Sequence, residues 1–156
     1  MRSSTAIWFE AKVRYDKTME DGCLKKVTET YVVDALSFGE AEKRILEEMT
    51  SYVSGEVEVC ALKIAPYKEI FFADSNMDDK WYVAKLAFIT IDEKTDKEKK
   101  TRVYHLVNAG NINAAVKNIE EVMAGTMIDY DTLNVSETQI LDVFEYEPKG
   151  DNKPEE

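Results

Sequence analysis

Two stretches of this chain are variants of one another, and that constrains the fold more than any other feature. Trp8-Phe9-Glu10-Ala11-Lys12-Val13-Arg14-Tyr15 aligns with Trp81-Tyr82-Val83-Ala84-Lys85-Leu86-Ala87-Phe88 at an offset of 73, with 3 identities in 8 positions. Residues 26–49 align with 100–123 at an offset of 74, with 8 identities in 24. Both tryptophans fall on equivalent positions. Internal similarity at a long fixed period marks a structural unit written twice, so the secondary structure of one copy predicts that of the other.

In the first copy Phe9, Ala11, Val13 and Tyr15 alternate with Trp8, Glu10, Lys12 and Arg14, the period of a half-buried strand. The equivalent residues Tyr82, Ala84, Leu86 and Phe88 are again apolar or aromatic, which marks the inward face. Asp21-Gly22 predicts a hairpin connection within 16–25, and its counterpart at 92–100 is a charged loop. Returning strands follow at about 26–34 and 100–108. Ser37 with Glu40 fits a capping box, and Phe38, Ala41, Ile45 and Met49 follow at helical spacing. Asn111 caps the second helix, whose stripe is Ile112, Ala115, Ile119, Val122 and Met123. Strands near 56–64 and 135–146 close the units.

The expected fold is α+β: tandem β-β-α-β repeats at 1–72 and 81–146, a linker at 73–80 that follows a short strand at 70–72, and a disordered acidic tail at 147–156. Halves of about 70 residues bury little alone, so the repeats are expected to pack about a pseudo-twofold axis as one body.

Composition narrows the function classes. The formal net charge of −11 is concentrated late: residues 120–156 hold 11 acidic residues against Lys149 and Lys153. No apolar run approaches the length of a membrane span, and Cys23 and Cys60 form no paired motif, so a reduced, cytoplasmic protein is expected. A single histidine, His105, stands where the first copy has Tyr31, too little to build a zinc site. No phosphate-cradling glycine loop and no nucleophile elbow occur. Glu10-Ala11-Lys12 has the spacing of strand-borne nuclease residues, but the second copy reads Val83-Ala84-Lys85. Asp129 and Asp131 offer oxygen ligands without the rest of a cation loop and read as a solvated acidic turn. No catalytic residue, metal site or cofactor is expected.

One duplicated constellation is a candidate binding site: Trp8 with Lys12 and Arg14, and Trp81 with Lys85, on the strand face opposite the core. If open to solvent, these aromatic and cationic side chains would stack and neutralise single-stranded nucleic acid. If packed, the tryptophans are scaffold and the lysines reach past them to water.

The stretches Trp8-Phe9-Glu10-Ala11-Lys12-Val13 and Val33-Asp34-Ala35-Leu36-Ser37-Phe38-Gly39-Glu40-Ala41-Glu42 resemble the opening of a small uncharacterised domain family of Bacteroidetes, their mobile elements and phages. The resemblance is carried by residues 8–49 and continues more weakly through Tyr146. It implies a cytosolic bacterial or phage protein and brings no catalytic residues. The expected function is non-enzymatic binding or regulation through protein–protein contacts, possible targets including a host nucleic-acid enzyme. The alternative is single-stranded nucleic-acid binding, and a third class is sequestration of a small metabolite.

Overall fold

The protein is described by a computed structural model over residues 2–4 and 6–146. In chain order its elements are β1 Arg2–Ser4, β2 Trp8–Thr18, β3 Leu24–Asp34, α1 Phe38–Thr50, β4 Glu58–Ile64, β5 Tyr67–Phe72, β6 Lys80–Ile91, β7 Glu98–Ala109, α2 Ile112–Ala124, β8 Asp129–Glu137 and β9 Ile140–Phe144. The class is α+β. The expected disordered tail at 147–156 lies outside the described residues.

Local chemistry sets the helices where the sequence predicts them. The Ser37 hydroxyl accepts from the Glu40 amide at 3.1 Å, while the Glu40 carboxylate reaches back to the Leu36 amide at 2.6 Å. Asn111 Oδ1 accepts from the Ala114 amide at 2.8 Å. Each helix buries one stripe, Ala41-Ile45-Met49 in α1 and Ala115-Ile119-Met123 in α2. Burial of each of the large side chains is worth about 1.5–3 kcal/mol. Gly22, at φ 86°, takes the left-handed turn of the β2–β3 hairpin, a conformation that costs glycine little.

The strands form two sheets among the described residues, in the orders β4-β2-β3-β9 and β1-β5-β7-β6-β8. Two compact units result. One comprises 7–65 with 140–146; the other comprises 66–139 with β1. Neither unit is contiguous in sequence, whereas the repeats expected from sequence are 1–72 and 81–146. The closing strand expected at 135–146 is in fact two strands. β8 stays beside β6, antiparallel, and β9 pairs in parallel with β3 of the other unit. β5, longer than the expected 70–72, likewise leaves the strands before it and pairs in parallel with β7. The break between β8 and β9 falls at Thr138, whose amide and hydroxyl both bond the Trp81 carbonyl at 2.9 Å.

Pairing details recur between the units at the same offsets. Val33 faces Phe144 as Val107 faces Phe71. Ladder irregularities sit after Lys12 and after Lys85. The Ala65 amide bonds the Trp8 carbonyl as the Thr138 amide bonds that of Trp81. The windows 67–71 and 140–144, Tyr-Lys-Glu-Ile-Phe and Ile-Leu-Asp-Val-Phe, are thus a third, weaker pair of matching segments. One difference stands out: β5 carries β1 on its far side, antiparallel, whereas β9 is the edge of its sheet among the described residues.

Each sheet rests its inward face on its helix. In the 7–65 unit Phe9, Ala11, Val13, Tyr31 and Val33 pack with Ala41, Ile45 and Met49. In the 66–139 unit Phe71, Ala84, Leu86 and Val107 pack with Ile119 and Met123.

Candidate binding groove

The tryptophan strands do not present an aromatic platform. Trp8 is 1% exposed and Trp81 5%, and Trp81 meets Phe72 edge-to-face with ring centroids 5.6 Å apart. Rings buried this deeply have no face to offer a base, so stacking by Trp8 and Trp81 is corrected to a packing role. The cations of the same constellation sit apart from that role. Lys12 and Arg14 are exposed, Arg14 lying 3.8 Å from Glu58, and Lys85 is half-buried. The alternation that put Trp8 opposite the core face is right. What one strand cannot reveal is that the second face is also buried near Trp8, Thr30 and Val32.

The other candidates resolve as follows. Glu10 turns to Lys63, 3.9 Å away, so the Glu10–Lys12 spacing assembles no cation site. Asp129 and Asp131 lie in β8 instead of a turn, and Asp131 is 3.5 Å from Lys100. Cys23 and Cys60 are free thiols at the surface. Among the described residues no three acidic, histidine or cysteine side chains are grouped to hold a metal, and no helix is long and apolar enough to cross a membrane. His105 is 2% exposed, stacked on Phe71 at 5.0 Å and tilted against Phe88 at 5.9 Å. Among the described residues neither ring nitrogen makes a well-formed hydrogen bond, the Glu69 backbone being the polar group beside it. Burial lowers its pKa to about 4, the nearby Glu69 backbone opposing and Lys68 assisting.

Two neighbouring clefts lie in the 7–65 unit, beside α1 and β9. One cleft of about 620 Å³ runs between α1 and the end of β9, lined by Glu40, Lys43, Arg44, Glu47, Glu48 and Tyr146 among others. Arg44 is its fixed point. Its guanidinium bonds the Asp34 carbonyl at 2.5 Å and Glu40 at 2.8 Å, and lies 3.7 Å from the centre of the Tyr146 ring. The Tyr146 amide in turn bonds the Asp34 carboxylate at 2.7 Å. Burial raises the Asp34 carboxyl pKa, against the opposing pull of that amide and of Arg44.

A second cleft of about 310 Å³ shares Phe144 with the first and is lined by Tyr15, Lys17, Glu29, Tyr31, Tyr52 and Asp142 among others. Alternation along β2 and β3 brings Tyr15, Tyr31 and Glu29 to one face. Both phenols donate to the same oxygen, Glu29 Oε1, at 2.9 and 2.8 Å. Burial and the Glu29 carboxylate push the Tyr15 pKa up to about 12 and raise that of Tyr31 further, so both remain donors. The matching positions of the other unit are Phe88, Val103 and His105, and the matching strand residue Phe71 is fully buried where Phe144 is half-buried. The matching positions are thus apolar in one unit and polar in the other, where the cleft lies beside the strand that ends its sheet among the described residues.

These residues were not among the sequence candidates. Tyr15 read as core by periodicity and Tyr31 only as the counterpart of His105, and the mismatch of Glu29 with Val103 was the available signal of a polar cluster. No curated protein sequence and no solved structure matches this chain. A family model does match, over residues 7–146, and the chain therefore belongs to the family described as a domain of unknown function, DUF4494.

Proposed function

We propose that the chain is a non-enzymatic, cytoplasmic protein-binding module, and that the groove beside β9 and α1 receives an extended basic segment of a partner protein. The observation that carries this reading is the contrast between equivalent edge strands. β5 accepts an added antiparallel strand, Arg2–Ser4, while β9, in matching register on its own sheet, is an edge strand among the described residues. Strand addition to an edge uses main-chain hydrogen bonds for affinity and side-chain pockets for selectivity.

Charge favours a basic occupant. Residues 7–65 with 140–146 contain 14 acidic and 8 basic residues, and four glutamates, Glu40, Glu47, Glu48 and Glu145, line the larger cleft. Such a field speeds encounter with a basic partner and rejects acidic ones. In the phage or mobile-element setting that the sequence resemblance implies, a host enzyme that handles nucleic acid is a partner of this kind. The tandem-repeat origin is part of the same proposal: one copy kept its edge covered and the other became the binding edge.

The test is titration of the ¹⁵N-labelled full chain with ten-residue extended peptides, one set rich in Lys, Arg and Ser and a charge-reversed set rich in Glu, Asp and Ser. The reading expects saturable shifts at Ile140–Tyr146 and along α1 with basic peptides alone, weakening with salt. Shifts confined to other elements, or equal responses to both sets, would overturn it.

A further inference from the structure

We propose that the cleft formed by Tyr15, Glu29 and Tyr31 is a receptor for a single cationic group, the ammonium or guanidinium end of a lysine- or arginine-like ligand. The proposal rests on the groove reading for its natural ligand, a side chain of the docked segment, but the cleft can be tested without that segment.

Three features of the cleft point to a cation. First, Glu29 is held in place: its side chain is only 11% exposed, and two phenols donate to Oε1. Those two bonds satisfy one carboxylate oxygen and orient the other. Second, Oε2 faces Lys17 Nζ at 3.8 Å, beyond hydrogen-bond length, and the Lys17 side chain is half exposed. Lys17 approaches from the solvent side without a hydrogen bond, so it is a displaceable counter-charge standing where a better-placed cation would bind. Third, the surrounding walls are aromatic, with Tyr15, Tyr52 and the Tyr31–Phe144 stack at 5.3 Å, and aromatic faces favour desolvated cations.

An anionic ligand fits poorly. The phenol hydrogens are already committed to Glu29, and Asp142 at the rim adds a second carboxylate. Packing alone does not require this chemistry either. The equivalent positions of the other unit are filled by Phe88, Val103 and His105, which close that core without a carboxylate. The cleft volume suits one side-chain-sized group and lies at the small end of ligand sites.

The experiment titrates the ¹⁵N-labelled full chain at constant ionic strength with four probes: n-butylammonium chloride, n-butylguanidinium chloride, sodium butyrate and 1-butanol. The two cations are expected to give saturable shifts centred on Tyr15, Lys17, Glu29, Tyr31 and Asp142, with butyrate and butanol giving none there. Lys17→Met is expected to tighten cation binding several-fold, and Glu29→Gln to weaken it at least tenfold. Lys17 is on the surface, so its variant keeps the test decisive even if Glu29→Gln folds poorly. No saturable shift at these residues, an equal response to butanol, or a Lys17→Met variant that binds no tighter would overturn the proposal. Basic peptides that dock along β9 while the small cations fail would sink the cleft alone. Small cations that bind while no basic peptide does would sink the groove reading and leave the cleft.

Discussion

Replacing His105 with phenylalanine should remove a pH dependence that the structure builds into the 66–139 unit. His105 is the protein's one histidine, buried between Phe71 and Phe88. Its pKa in the folded chain is about 4, lowered chiefly by burial. In the unfolded chain it returns to about 6.5. As pH falls, the unfolded chain therefore takes up the proton first, so the contribution runs in one direction: full above pH 6.5, declining below it, and exhausted once the pH has passed the folded value. The gap corresponds to about 3 kcal/mol in all, of which about 2 kcal/mol is lost by pH 5. Urea unfolding of the wild type and of His105→Phe, followed by tryptophan fluorescence from pH 8 to pH 4.5, measures the difference between the two chains. Carboxylates common to both cancel in that difference. Phenylalanine is slightly larger than histidine, so repacking offsets part of the gain at pH 8; the informative quantity is the change with pH. The stability advantage of His105→Phe should grow by about 2 kcal/mol between pH 8 and pH 5. A difference that stays constant over this range, or His105 ring protons that titrate near the ordinary histidine value by NMR, would refute the reasoning.

Three further outcomes follow from the packing. Ile119→Ala empties a fully buried position under the β6–β7 pair and should lower stability by about 2–5 kcal/mol in denaturant titration, with α2 the first element to lose hydrogen-exchange protection. Gly110→Ala would place a methyl carbon 2.7 Å from the Met77 carbonyl oxygen, so the 73–80 segment must shift; a loss of about 1–3 kcal/mol is expected by thermal unfolding, against near-neutrality for Gly55→Ala, which meets nothing within 4 Å. Tyr15→Phe and Tyr31→Phe each remove one donor to Glu29 and should cost about 0.5–1.5 kcal/mol, and a double-mutant cycle should show coupling because both phenols share one oxygen.

What the sequence determined by itself was local. Side-chain alternation in β2 and β6 announced which residues face inward, and Ser37 and Asn111 marked the helix starts, because periodicity and capping depend only on neighbours a few residues away. Tertiary structure decided the rest. The partners of β5 and β9 lie more than thirty residues away along the chain, and their short windows differ enough that only register reveals them as counterparts. An exposed strand face and a buried one carry the same alternation when the second face is mixed, which is why the sequence left open whether Trp8 and Trp81 form a surface platform or scaffold. The Tyr15–Glu29–Tyr31 cleft became visible for the same reason in reverse. Tyr15 sits in a stripe that periodicity assigns to the core, and only the tertiary arrangement brings it together with Glu29, Tyr31 and Asp142 around an opening.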